Sequence, residues 1–165
     1  MRSILKSVRY LDEQLQVKEE KVEALELGYR SSKLKGKPDI VLEADFTLEN
    51  TDEPESIQSR MKAILAVRKA KFPLNYPNAG SVFKQPDGFP PAGWLIEQAG
   101  LKGRRIGNAQ ISVKHANFII NLGGASSSDV KELVLVIQEA VYKVHGVMLE
   151  REVIYWPEET NWKAW

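Results

Sequence analysis

Asn-Ala-Gly-Ser-Val-Phe-Lys-Gln-Pro, residues 78–86, lies between two periodic segments and places a hydroxyl, an aromatic ring, an ammonium group and an amide close together. Gly80 permits backbone angles that are closed to other residues, so the Ser81 hydroxyl can point into a cleft. Loops of this composition are where binding and catalytic groups are often presented. The stretch therefore predicts a functional loop, and an ordinary Gly-Ser turn is the alternative.

The clearest helix lies downstream of this loop. Ser126 and Asp129 have the spacing of a capping box, and Gly146 is a natural C-terminal stop. The apolar residues between them repeat at intervals of three and four: Val130, Leu133, Val134, Ile137, Ala140, Val141 and Val144. Residues 122–129 also suggest a phosphate loop, but no lysine follows and the glycine spacing is wrong, so capping is favoured.

The remaining segments predict a mixture of strands and helices. Residues 1–17 suggest a hairpin, residues 40–48 a strand with one buried face, and residues 147–156 a final strand. Helices are expected from Pro54 to just before Pro73 and over 92–99, with a basic connector at 101–107 and a central strand at 117–121. We therefore expect an α+β fold in which the later part is an α/β domain with a mixed sheet and packed helices.

Composition excludes several classes of function. The 165 residues carry 23 Lys and Arg against 22 Asp and Glu, a net charge of +1, so no overall field attracts nucleic acid or a membrane. The chain has no cysteine and 2 histidines, which argues against a metal site. No apolar run approaches about 20 residues, and the start lacks a signal-peptide core. We expect a cytoplasmic protein.

Six sequence blocks stand out together, at residues 28–32, 80–84, 92–97, 102–107, 114–119 and 149–153. Their order and spacing, over essentially the whole chain, resemble those of one enzyme family, the UDP-N-acetylenolpyruvoylglucosamine reductases (UDP-N-acetylmuramate dehydrogenases) of bacterial peptidoglycan synthesis, in their shorter subtype. The resemblance implies that NADPH and FAD reduce the enolpyruvyl ether of UDP-N-acetylglucosamine enolpyruvate to a lactyl ether. It also implies roles in cell-wall biogenesis, cell shape and cell division.

The resemblance also implies the site residues. Ser81 matches the proton donor, and Arg30 and Glu152 match groups that stabilise the charge formed on the substrate carboxylate. The expected substrate-binding residues are Lys71, Lys84, Gln85 and His115. Two departures stand out: Gln85 replaces a common asparagine, and Arg151 replaces the proline before the acid.

The family's main FAD-binding motifs lie upstream of the hairpin with which this sequence opens. The resemblance therefore assigns residues 1–72 to the end of the FAD-binding region and residues 73–165 to the substrate-binding domain, and no FAD-binding residue is assigned here. It implies a C-terminal portion that is inactive alone and that self-associates through surface left uncovered. The alternative is a non-catalytic UDP-sugar-binding or structural fragment, which flavin binding would distinguish.

Overall fold

A computed structural model describes residues 2–48 and 52–156 and divides the chain into two compact units, Met1–Ser56 and Ile57–Trp165. These are called the first and the second unit below. The domain boundary expected between residues 72 and 73 stays a prediction.

The first unit is a three-stranded antiparallel sheet with a short 3₁₀ helix. Strand β1 is Leu5–Leu11, β2 is Val17–Lys21 and β3 is Ile40–Phe46, in the order β2-β1-β3. The expected hairpin is confirmed, because β1 and β2 pair directly in antiparallel register. The 3₁₀ helix Val22–Leu25 follows β2 and ends at a left-handed Glu26.

Strand β3 does not have the buried face that its alternation suggested. Each of its residues is exposed, and it pairs with β1 along one edge. Alternating apolar residues indicate a face that needs a partner, and the pattern cannot say whether the partner is present in the same chain. The expected buried face is therefore wrong for the described residues.

Helix α1 is Pro54–Lys71, and it begins and ends where proline placement predicted. Its apolar residues Ile57, Met61, Ile64 and Leu65 are between 42% and 60% exposed. The spacing predicted the helix correctly, but the stripe lies on its surface.

The second unit combines two further helices with a small sheet. Helix α2 is Ala92–Gln98, β4 is Arg105–Ile106, β5 is Ala109–Ile111, β6 is Ile119–Asn121 and α3 is Ser127–His145. The sheet order is β4-β5-β6 and both pairings are antiparallel. The α+β class is confirmed. The mixed sheet is wrong, because short loops join the strands and leave no room for the crossover that a parallel pair needs.

Two local expectations in this sheet also needed correction. The connector at 101–107 contains strand β4. A strand of two residues is too short to show an alternating pattern in the sequence. The strand expected to be central, β6, borders β5 on one side and makes a single bridge to Asn78 on the other, and β5 is the middle strand.

Helix α3 confirms the local signals that predicted it. The Ser126 side chain accepts from the Asp129 amide, the Asp129 side chain accepts from the Ser126 amide, and Gly146 closes the helix at φ +71°. Its apolar face forms the core of the unit with α2, β5 and the loop residues, including Phe83, Leu95, Ile96, Ile111, Leu133, Ile137, Val141 and Leu149.

The strand expected over 147–156 is reduced to one bridge, between Arg151 and Phe83. Its partner segment is short, so a longer ladder has nothing to pair with. The tail from residue 157 onward lies outside the described residues. No helix within residues 2–48 or 52–156 is long and apolar enough to cross a bilayer.

Candidate functional site

The loop at 78–86 is fixed from its first residue. The Asn78 side-chain oxygen accepts from the Gly80 N–H at 3.0 Å, and Gly80 has a positive φ, +83°, an angle that glycine permits. Ser81 is half-buried, and Val82 and Phe83, which follow it, are buried. Ser81 therefore stands at the surface end of a segment that is anchored in the core.

A short antiparallel pairing brings this loop to the end of the chain. The Lys84 N–H donates to the Glu150 carbonyl at 2.9 Å, and the Glu152 N–H donates to the Val82 carbonyl at 2.8 Å. Ser81 precedes Val82 directly, so the backbone of Glu152 lies beside the Ser81 loop. The structure thus brings together two of the three residues to which the resemblance assigns the reaction.

The Lys84 and Gln85 side chains both have partners within the loop region. The Lys84 ammonium forms an ion pair with the Glu150 carboxylate, and the Gln85 amide donates to the carbonyls of Phe89, at 3.1 Å, and Pro86, at 3.3 Å. These contacts hold the loop's flank in place. Gln85 uses both N–H groups of its amide in these contacts, whereas the Lys84 ammonium keeps donors for a further acceptor while it is paired with Glu150.

Asn117 is a buried residue that the sequence analysis did not single out. Its side-chain oxygen accepts from the Phe83 N–H at 2.9 Å and its amide nitrogen donates to the Phe83 carbonyl at 2.8 Å. Its own carbonyl accepts from the Val82 N–H at 2.9 Å. A signal was available: an asparagine within an apolar strand must find hydrogen-bond partners if it is buried.

His115 lies among aromatic rings. Its ring stacks on Phe72, with centroids 5.0 Å apart, and meets the edge of Phe118 at 5.0 Å. The Asn117 N–H donates to His115 Nδ1 at 3.3 Å. Burial lowers the pKa of His115, so the ring is neutral at pH 7 and carries its proton on Nε2. Lys71 is exposed and directly precedes Phe72.

Arg30 belongs to the first unit. It is exposed, has φ +55° within the turn that the Gly28–Ser31 bridge closes, and its guanidinium carbon lies 5.7 Å from the centre of the Tyr29 ring. Its carbonyl accepts from the Lys35 ammonium at 2.6 Å. Because Ser81 and Glu152 lie in the second unit, a site that joins all three stays a prediction.

A pocket of about 350 Å³ is lined by residues that include Pro77, Val82, Ile120, Val130 and Val153. None of the seven residues predicted for the site lines it. Its wall is mainly apolar, so the pocket does not coincide with the predicted site residues.

The glycine- and serine-rich loop before α3 is not a phosphate site. The Asp129 carboxylate accepts from the N–H groups of Ser126, at 3.0 Å, and Asn108, at 3.4 Å. The hydrogen bond from the Ser126 backbone, above all, lowers the pKa of Asp129, so the group is ionised at pH 7. A negative charge therefore already occupies the end of the helix that would attract a phosphate. Capping, the favoured reading of this stretch, is what the geometry shows.

Comparisons with known proteins give one answer. The family model described as "UDP-N-acetylenolpyruvoylglucosamine reductase, C-terminal domain" matches residues 72–156. A reductase of that name from Clostridium perfringens is 43% identical over 153 residues, covering 93% of this chain and 50% of the relative. A second, from Symbiobacterium thermophilum, is 50% identical over 129 residues, covering 78% of this chain and 41% of the relative.

The solved structures agree. The crystal structure of UDP-N-acetylenolpyruvylglucosamine reductase from Thermus caldophilus is similar to this chain with a TM-score of 0.77 at 36% identity, covering 94% of this chain and 54% of that one. The chain spans about half the length of the curated relatives that it matches. From the family model over residues 72–156, the identities and the shared fold, the chain belongs to the UDP-N-acetylenolpyruvoylglucosamine reductase family of oxidoreductases and corresponds to its C-terminal portion.

Proposed function

We propose that this chain provides the substrate side of the reduction of UDP-N-acetylglucosamine enolpyruvate to UDP-N-acetylmuramate, with Ser81 as the proton donor. One observation carries the proposal: Ser81 is half-buried on a loop that hydrogen bonds fix on both sides, next to the backbone of Glu152. A proton donor must be held within hydrogen-bond reach of the reacting carbon, and an anchored loop provides that.

The family's reducing equivalents come from NADPH through FAD, and we assign no residue of this chain to either. Within the described residues the glycine-rich loop before α3 is closed to a diphosphate by the Asp129 carboxylate. The contribution of this chain is therefore to bind the UDP-sugar and to supply a proton to the substrate carbon beside its carboxylate.

The contacts of each remaining candidate residue restrict the role that it could have in the reaction. Glu152, in its protonated form, would donate a hydrogen bond to the substrate carboxylate, and Arg30 would offset the negative charge that develops there. His115 is neutral, so it would offer a hydrogen bond and an aromatic edge, with no charge. Lys71, Lys84 and Gln85 would hold the phosphates and sugar, and Lys84 would do so while paired with Glu150.

The test is Ser81→Ala in the flavin-loaded reductase that contains this chain, with the two half-reactions followed separately by stopped-flow absorbance. We expect reduction of the flavin by NADPH to be unchanged and its reoxidation by the enolpyruvyl substrate to slow by about 10²–10³. Ser128→Ala, at an exposed position of α3, is the control and should leave both unchanged. If the two half-reactions of Ser81→Ala keep wild-type rates, Ser81 is only a turn residue.

Taken alone, the chain is proposed to fold, to bind UDP-sugar weakly and to be catalytically silent in the bacterial cytoplasm. Its second unit has a closed core, but the described residues offer no diphosphate cradle before α3. Mixing the purified chain with FAD, removing the excess by gel filtration and recording flavin absorbance tests this. Stoichiometric retained flavin, or NADPH oxidation in the presence of substrate, would show that the chain is a complete reductase.

A further inference from the structure

The two backbone groups of Phe83 face away from the segment that pairs with the loop. In the bridge between Phe83 and Arg151, the hydrogen bonds are made by the flanking residues, from Glu152 to Val82 and from Lys84 to Glu150. In an antiparallel pair this leaves the N–H and C=O of the bridged residue pointing to the opposite edge. Phe83 is 1% exposed, so these groups cannot rely on water.

Asn117 takes the place of a neighbouring strand at that edge. Its side-chain amide carries an acceptor and a donor side by side, and it meets the Phe83 N–H at 2.9 Å and the Phe83 carbonyl at 2.8 Å. Its main chain adds the bond from the Val82 N–H. Asn117 is itself 7% exposed, so the three bonds are shielded from solvent.

These bonds act on the two residues that follow Ser81 directly. Upstream, the Asn78 side chain fixes the Gly80 amide, and the positive φ of Gly80 sets the direction in which the chain enters Ser81. Downstream, Asn117 and the bridge to Arg151 hold both edges of the segment. The direction of the Ser81 side chain thus depends on an asparagine that does not contact it through any of these bonds.

We propose that Asn117 is a positioning residue for the Ser81 hydroxyl: its side-chain amide fixes the backbone of Phe83 and so aims the proton donor at the substrate carbon. The inference rests on the proposed function of Ser81. It goes further by naming a residue, 34 positions from Phe83 in sequence, whose side-chain amide would act on the proton donor through the backbone of the Ser81 loop.

The geometry predicts different behaviour for two substitutions. Asn117→Ala removes both side-chain bonds. Asn117→Asp keeps an acceptor for the Phe83 N–H but sets an anionic oxygen against the Phe83 carbonyl. Protonation of that carboxyl at lower pH restores a donor. A misplacement of about 1 Å at a reacting group can cost about 10² in rate.

The experiment uses the flavin-loaded reductase that contains this chain, with stopped-flow reoxidation by the enolpyruvyl substrate and hydrogen exchange of the amides at 82–84 as separate readouts. Asn117→Ala should slow reoxidation by about 10²-fold, leave flavin reduction by NADPH unchanged and speed exchange at Phe83. Asn117→Asp should be slow at neutral pH and gain rate as pH falls. Asn121→Ala is the matched control, since its side-chain oxygen also accepts two backbone N–H bonds, from Gly123 and Ala125.

A double-mutant cycle decides whether Asn117 acts through Ser81. In a Ser81→Ala background, Asn117→Ala should cause no further slowing. A further slowing of about 10²-fold there, or an unchanged reoxidation rate for Asn117→Ala and Asn117→Asp in a reductase where Ser81→Ala is slow, overturns this inference alone. An unchanged rate for Ser81→Ala itself overturns the proposed function. If Asn117→Ala does not fold, the pH dependence of Asn117→Asp carries the test.

Discussion

The two units of this chain use apolar residues in opposite ways. In the second unit, Ile111, Leu133, Ile137 and Leu149 are 0% exposed, and they form one continuous core. In the first unit, the large alternating residues of β3, Ile40, Leu42 and Phe46, are 40% exposed or more, although their pattern in the sequence is just as regular. A periodic apolar pattern therefore reports that a face requires a partner. Burial follows only where the described chain supplies one.

The largest effect that this contrast predicts is in the core of α3. Leu133→Ala should lower the free energy of unfolding by about 2–5 kcal/mol, because it removes buried contacts and leaves a cavity. The check is denaturant unfolding of the variant against the parent chain.

Leu135→Ala is the matched control on the same helix, because Leu135 is 65% exposed. It should change stability by no more than about 0.5 kcal/mol. Equal losses for the two variants would show that the second unit does not have the closed core described above.

A smaller loss of folding stability is expected from a substitution in the hairpin between β4 and β5. Gly107 has φ +52°, and a Cβ there would collide with the Asp129 carboxylate. Gly107→Ala should lower the free energy of unfolding by about 1–3 kcal/mol through backbone strain. The collision lowers it further unless the Asp129 side chain moves away. Gly88→Ala is the control, since Gly88 has φ +73° with open space where a Cβ would be, and it should cost less in the same thermal unfolding assay.

The Asp129 carboxylate, which caps α3, should make a pH-dependent contribution to the stability of the chain. Hydrogen bonding lowers the pKa of Asp129 from its ordinary value of 3.8, so its stabilisation is present above the unfolded-state pKa. It is lost as pH falls through the lower, folded-state pKa. The stability difference between the parent chain and Asp129→Asn should accordingly be largest near neutral pH and shrink below about pH 4, in denaturant melts across that range. A constant difference would contradict this assignment.

The smallest effect on folding is expected where the first unit exposes β3. Leu42→Ser should leave stability within about 0.5 kcal/mol and weaken self-association of the isolated chain, because an apolar edge strand is a site for pairing with another copy. Sedimentation velocity measures this. Leu74→Ser, at a position 48% exposed against 50% for Leu42, should leave association unchanged.

Features that depend on residues close together in the sequence could be predicted, and features that depend on distant residues could not. Helix α3 was predictable from end to end, since its capping box and closing glycine act within a few residues. Strand β4 was not, because two residues carry no period, and the pairing of Asn117 with Phe83 joins positions 34 apart.

The candidate site also depends on contacts between distant positions, which the sequence does not reveal. The resemblance named Ser81 and Glu152 separately, and their neighbourhood appears only when residues 150–152 pair with the loop. The sequence could not show that Lys84 forms an ion pair with Glu150 or that His115 packs against the rings of Phe72 and Phe118. Those contacts are decided by how distant segments meet.

The pairing of Lys84 with Glu150 has a consequence for synthesis of the chain. The two residues lie 66 positions apart, and a ribosome adding about 5–20 residues per second needs roughly 3–13 s to make that interval. Asn117 is made halfway through this interval and can bind Phe83 from then on, but the other edge of the Ser81 segment has no partner until residues 150–152 are made. Nascent chains halted before residue 150 should therefore hold the loop open to proteases, and release from the arrest should close it.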